Sequence, residues 1–241
     1  MKQMLKKGLE AIGLHNRTFD LSQDMLATIA RCQPFTMTSF ERLAALCGAV
    51  EYAVANDIPG SFVECGVWKG GSSMAAALTY LEWSRSDVDL YLFDTYEGMS
   101  DPTERDTEAR SGKKAEALLK NASKDQGIWA CAQLNEAQAN LHSTGYPAER
   151  MHFIKGKVED TIPESAPEAI SILRLDTDWY QSTKHELVHL YPRLSPGGVL
   201  IIDDYGHWAG ARQAVDEYIK EHKLRVLLHR IDYTGRMCVK M

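Results

Sequence analysis

The chain has 241 residues, 44% of them hydrophobic and 25% charged, with a formal net charge of −6. That length holds one domain or one domain with an appendage, and the hydrophobic share suffices for a real core. The acidic balance argues against a nucleic-acid partner, whose phosphates want a basic surface. Five cysteines, an odd number with no Cys-x-x-Cys pair, argue against a disulfide framework or a zinc knuckle.

The opening stretch MKQMLKKGLEAIGLHNRTFDL is basic but has no apolar run and no small-residue cleavage site. It predicts an amphipathic helix rather than a signal peptide. No stretch is apolar enough to span a bilayer, so no membrane partner is expected. Reduced, buried thiols suit the cytoplasm. Residues 1–60 read as a helical extension. Within it, SFERLAALCGAVEYAVAND has apolar residues at helical spacing and Ser39 as N-cap, and DIPG stops the helix.

From Ser61 the pattern changes to short apolar runs alternating with helices. SFVECG, DLYLFD, RMHFIKG, AISILRLD and GGVLIIDD predict strands. SSMAAALTYLEWS, STKHELVHLYPRL and GARQAVDEYIKEH predict helices. LRVLLHRI and GRMCVKM predict two closing strands joined by DYTG, a turn signal. Apolar strands in alternation with helices mean a mostly parallel α/β sheet, and a closing hairpin adds an antiparallel strand. The stretch 96–127 is charged and turn-rich, too polar for a core. It reads either as a solvated surface loop or as a lid over a site.

In open α/β sheets, ligands bind outside the carboxyl ends of the strands. Here those ends are acidic: Glu64, Asp94, Asp176 with Asp178 beyond it, and Asp203–Asp204. Gathered carboxylates repel, so they need cations, protons or hydroxyl donors. Arg174 and Lys69 are candidates to neutralise the edge; a divalent ion is another. Gly66, Gly70 and Gly71 let a ligand approach the backbone, but their spacing fits neither a dinucleotide fingerprint nor a P-loop. An acid at Glu64 would repel a pyrophosphate. A cofactor with a nucleoside, a cationic centre and an ammonium group fits better, and that is S-adenosylmethionine. Asp94 suits the ribose hydroxyls. Asp176, Asp203 and Asp204 offer hard oxygen ligands for Mg2+. Asp178 reads as a ligand, a partner of one, or the N-cap of the helix at QST. Trp68, Trp179, Tyr180 and Trp208 read as pocket walls or as packing.

IPGSFVECGVWKGGSSMAAAL, YLFDTYEGM, ILRLDTDWYQST and LSPGGVLIIDDYGHWAGARQAVDEY, taken together and in this order, resemble the macrocin O-methyltransferase family. The resemblance runs from about Thr36 to the C-terminus. It implies a class I methyltransferase, Rossmann-like sheet of seven strands, the last antiparallel, over residues 61–241, and a homodimer. It places Glu64, Gly66 and Ser72 near the methionine part of the cofactor and Asp94 at the ribose. Val158 and Glu159 would border the adenine, and Thr36 and Met37 would close over the cofactor. Asp176, Asp203 and Asp204 match the metal-binding acids, and Asp176 the general base, with His207 the second candidate. The implied activity is Mg2+-dependent methyl transfer to a hydroxyl of a sugar or polyol on a small, glycosylated natural product. A catechol-type phenol acceptor and a non-catalytic S-adenosylmethionine-binding protein are the alternatives; a nicotinamide-dependent oxidoreductase fits least.

Overall fold

The computed structural model describes residues 20–123 and 127–241. The amphipathic helix expected at the start of the chain falls outside them up to residue 19. Among the described residues, two α-helices precede the sheet. Helix α1 (Gln23–Cys32) is capped by Ser22 Oγ, which accepts from Met25 N at 3.1 Å. Helix α2 (Phe40–Ala55) is capped by Ser39 Oγ, which accepts from Arg42 N at 3.2 Å, as the sequence predicts. Leu43, Leu46, Cys47 and Val50 put one face of α2 in the core.

The sheet then forms from β1 (Ser61–Cys65), β2 (Leu90–Asp94), β3 (Met151–Lys155), β4 (Ile170–Leu175), β5 (Leu194–Ile202), β6 (His229–Arg230) and β7 (Arg236–Val239). Its order is β3-β2-β1-β4-β5-β7-β6. The first five strands pair in parallel; β7 runs antiparallel to β5 and to β6. Between them run α3 (Gly71–Glu82), α4 (Ala115–Lys120), α5 (Leu134–His142), the single turn α6 (Val158–Thr161), α7 (Tyr180–Leu190) and α8 (Ala209–Glu221).

Because side chains alternate across a pleated strand, each strand serves two cores. Phe62, Leu92, Ile172 and Ile201 pack with α1, α2 and α3 on one face. Val63, Phe93, Leu173 and Leu200 pack with α7 and α8 on the other. Burial on both faces is why the strands read as nearly continuous apolar runs. The expected strand LRVLLHRI is shorter than its composition suggests: only His229 and Arg230 pair. Leu224, Val226 and Leu228 instead turn against the α7–α8 core.

The stretch 96–127 also departs from its polar composition. It carries α4, and Ala115 and Leu119 build a third small core with Trp179, Trp208 and Ala211. Asp101, Glu104, Arg105, Arg110, Lys113, Lys114, Glu116 and Lys120 are exposed around that core, while Asp106 is fully enclosed.

In the turn after β1 the need for glycine is sharpest at Gly66. Gly66 has φ +87, and a Cβ there would lie 1.9 Å from the Asp176 carbonyl oxygen. Gly66→Ala therefore meets backbone that has no room to shift, in a conformation that L-residues rarely adopt. Its thermal unfolding should show a loss of at least about 1–3 kcal/mol. Gly112→Ala, also at positive φ but in open space, serves as the control for backbone strain alone. Equal losses in the two variants would mean that the close approach to Asp176 does not constrain the turn.

Candidate active site

Register brings the acids together. Glu64 on β1 lies beside Arg174 on β4, and Asp203 follows the end of β5, the next strand over. Arg174 is almost fully buried. Its guanidinium donates to Glu64 Oε1 at 2.6 Å, lies 2.7 Å from Asp176 Oδ2, and donates to Asp203 Oδ1 at 2.6 Å and Thr38 Oγ1 at 2.9 Å. Ser73 Oγ donates to the other oxygen of Glu64. Arg42, from α2, pairs with Asp203 and, at 3.0 Å, with Asp232 in the β6–β7 turn. Lys69 takes no part; it pairs with Glu136 at 3.0 Å.

Two arginines do not balance the edge. Asp176, Asp203 and Asp204 each offer a carboxylate oxygen, and these oxygens lie within 4.8 Å of one another. Asp204 is buried and forms no ion pair among the described residues. Burial, then the carboxylates of Asp178 and Asp176, push its carboxyl well above the usual range. Burial and Asp176 do the same to Asp178. A convergent set of hard oxygen donors, one of them without an arginine among the described residues, fits a divalent cation such as Mg2+.

Two cavities open over this edge. The smaller, about 110 Å³, lies over the ends of β1, β2 and β3, and Asp94, Gly98, Val158 and Glu159 are among its walls. The larger, about 480 Å³, includes Thr36, Arg42, Ser72, Asp203, Asp204, His207 and Trp208 in its wall. Met37, Gly66, Trp68, Ala130, Asp176 and Asp178 line both, so the cavities meet at the end of β4.

The site residues expected from sequence divide accordingly. Asp94, Val158 and Glu159 face the smaller cavity. Thr36, Ser72, Asp203, Asp204 and His207 face the larger, and Met37, Gly66 and Asp176 face both. Glu64 faces neither: it is fully buried behind Gly66, its oxygens taken by Arg174 and Ser73. Asp94 holds the glycine turn itself, accepting from Val67 N at 2.7 Å, Trp68 N at 2.8 Å and Tyr96 N at 2.6 Å. Asp178 does not cap α7. It sits at φ +65, its N–H donates to Asp204, and its carboxylate accepts from Trp208 Nε1 at 2.6 Å. Trp179 and Trp208 are both wall and packing; their rings meet edge to face at 4.9 Å. Tyr180 lies outside both cavities and donates to Glu217 at 2.7 Å.

Three contributors carry little signal in sequence. Thr38 and Arg42 come from an ordinary helix start. Glu186 on α7 is fully buried; it accepts from Thr177 Oγ1 at 2.9 Å through one oxygen, and the other has no hydrogen-bond partner among the described residues. Arg174 had a signal: it is the one charge in an otherwise apolar run, ISILRL.

A parallel sheet with its last pair antiparallel, acids at the strand ends and two cavities meeting over them defines a methyltransferase of the class I type. The chain belongs to the macrocin-O-methyltransferase (TylF) family, whose model matches residues 4–240, and it is an O-methyltransferase. It is 33% identical over 200 residues to a tetracenomycin rhamnosyl 4'-O-methyltransferase of Streptomyces olivaceus, covering 83% of this chain and 73% of the relative. It is 32% identical to mycinamicin III 3''-O-methyltransferase of Micromonospora griseorubida, over 83% of this chain and 76% of that one. Among solved structures it is similar to the O-methyltransferase NovP, with a TM-score of 0.75 and 27% identity, covering 86% of this chain and 82% of the other. The methyltransferase fold implies S-adenosylmethionine as the methyl source.

Removing Arg174 strands Glu64 and leaves Asp203 with Arg42 alone. Arg174→Met should lower stability by about 3–5 kcal/mol, read from urea unfolding, and Glu64→Gln in the same chain should restore part of the loss. A single variant as stable as the parent would remove Arg174 from its central role.

Burial pushes the Glu186 carboxyl well above its usual range, so the folded protein keeps a proton that the unfolded chain releases above about pH 4.3. The stability of that neutral form is full below this pH and is lost as pH rises towards the folded pKa. Glu186→Gln should therefore gain melting temperature over the parent at about pH 8, with the gain shrinking towards about pH 4. A difference independent of pH would show that Glu186 is ionised in the fold.

Proposed function

We propose that this protein transfers a methyl group from S-adenosylmethionine to a hydroxyl of a sugar or similar polyol on a small-molecule acceptor, with Mg2+ held by Asp176, Asp203 and Asp204. The observation that carries the reading is the junction of the two cavities at Asp176 and Asp178. The smaller cavity, with Asp94, Val158 and Glu159, suits the nucleoside of the cofactor. Gly66, Ser72, Thr36 and Met37 suit its methionine end. The larger cavity takes the acceptor, whose ring faces Trp179 and Trp208. The rhamnosyl and mycinamicin relatives, by name, support a glycosylated acceptor.

When bound, the cofactor would supply an electrophilic methyl on sulfur, and Mg2+ at Asp176, Asp203 and Asp204 would supply Lewis acidity to an acceptor hydroxyl. The chain's own residues orient the acceptor and take its proton. Asp176 is already engaged: Arg174 lies 2.7 Å from its carboxylate, and the cation would share it. His207 faces only the larger cavity. Burial lowers its pKa, so it is neutral at pH 7. Among the described residues that line both cavities, Asp178 is the other titratable group. It pairs with no arginine, and Trp208 Nε1 fixes its orientation. We assign the proton to Asp178, with His207 at the rim of the acceptor cavity. The Trp179–Trp208 pair suits a flat phenol as well, so a catechol-type acceptor is the second reading, and a screen of diol and catechol acceptors separates them.

Thermal unfolding with S-adenosylhomocysteine tests the cofactor first. A hundredfold excess over Kd should add about 2.7 kcal/mol, and NADH should add nothing. Mg2+ should raise the melting temperature further and EDTA should reverse this; Asp203→Asn should lose the Mg2+ increment. No shift with S-adenosylhomocysteine would sink the reading. Asp178→Asn should bind S-adenosylhomocysteine normally and lose about 10²- to 10⁴-fold in kcat. Retained kcat would return the proton to Asp176 or His207.

A further inference from the structure

We propose that Asp106 is a positioning residue for the acceptor side of the site. Its buried carboxylate seats residues 103–120 against the first turns of α7 and α8 and so sets the shape of the larger cavity. That this cavity receives the acceptor rests on the function proposed above; the contacts do not.

Asp106 is fully enclosed and forms no ion pair among the described residues. N–H and O–H donors take the place of a cation. Oδ1 accepts from the N–H of Tyr180, the first residue of α7, at 2.7 Å. The N-cap residue of that helix, Trp179, supplies no capping side chain. Oδ2 accepts from Thr103 N at 2.7 Å and Thr103 Oγ1 at 2.8 Å. A Cβ on Gly210, in the first turn of α8, would fall 2.0 Å from Oδ1, so the carboxylate lies against that helix start too. A negative charge between two helix N-termini is well placed, because both present partial positive charge. An acid supplied from a distant loop thus does what the local sequence of α7 does not.

The chain on either side of Asp106 then grips the rim of the site. Ala115 N donates to the Asp106 carbonyl at 2.8 Å, which starts α4. Ala109 N donates to the His207 carbonyl at 2.8 Å, and Ala209 N to the Thr107 carbonyl at 2.9 Å, so 107–109 and 207–209 run as a short antiparallel pair. Ala115 and Leu119 back the Trp179–Trp208 contact. Glu108 and Leu118 from this segment line the larger cavity, and no residue of 103–120 lines the smaller one. Loss of Asp106 should therefore disturb one cavity and spare the other.

Asp106→Ala and Asp106→Asn in the full chain test this with readouts that need no acceptor. The first is the far-ultraviolet exciton couplet of the Trp179–Trp208 pair, identified by its loss in Trp208→Phe. The second is the rate of trypsin cleavage after Arg110, Lys113 and Lys114, and the third is the Kd for S-adenosylhomocysteine by calorimetry. Asp106→Ala should lose the couplet and be cleaved at least about tenfold faster, while the S-adenosylhomocysteine Kd moves by less than about twofold. Asp106→Asn keeps the shape but cannot accept from both Thr103 and Tyr180, so its cleavage rate should fall between parent and Ala. Parental couplet and cleavage in both variants would overturn the proposal. If Asp106→Ala fails to fold, the Asn variant decides by its cleavage rate alone. A parent that does not bind S-adenosylhomocysteine would defeat the methyltransferase reading, and the couplet and cleavage rates would still judge Asp106.

Discussion

Arg174 is the group on which the acidic edge of this sheet depends. Carboxylates at the ends of adjacent strands repel, and burial strengthens the repulsion. A planar guanidinium with five donors suits several carboxylates at once where a lysine would not. Here it bonds Glu64, Asp203 and Thr38 and lies against Asp176. One side chain thus holds β1, β4, β5 and the segment before α2 in a common frame. That frame fixes where the cavity walls stand.

The same arrangement divides the acids by task. Glu64 is structural ballast for Arg174 and has no access to either cavity. Asp94 organises the glycine turn through the N–H groups of Val67 and Trp68, and its own loop through that of Tyr96. Asp176, Asp203 and Asp204 converge, and Asp178 stands apart from the arginines at the meeting point of the cavities. Chemically alike residues differ in role because they differ in partner. A pair with a guanidinium fixes the position of a carboxylate; burial without a cation leaves it hungry for a proton or a metal.

The segment after β2 shows how a polar stretch joins a fold. Its apolar content is too small for a core of its own, yet Ala115 and Leu119 suffice once Trp179 and Trp208 lie opposite. The buried Asp106 satisfies a donor from α7 and two from Thr103 of its own segment, so polar bonds tie the segment in alongside its small apolar contact. Such bonds are directional, and they place the cavity wall more narrowly than apolar contact would.

The sequence by itself determined the α/β architecture, the parallel strands and the antiparallel close. Apolar runs of strand length between amphipathic helices admit little else. It also marked Asp94, Asp176, Asp203 and Asp204, because strand ends in such a sheet face the site. Only the tertiary structure decided what each acid touches. Glu64 and Asp94 look alike in sequence, and register and burial separate them. Asp178 reads as a ligand, a partner of one or a helix cap; the fold sets it at a left-handed backbone position between Asp204 and Trp208, and a cap for α7 arrives from Asp106, 74 residues earlier. Arg42, Thr38 and Glu186 were illegible for the same reason. Hydrogen bonds between groups far apart in the chain leave no local pattern, whereas the periodicity of a strand or helix is local by construction.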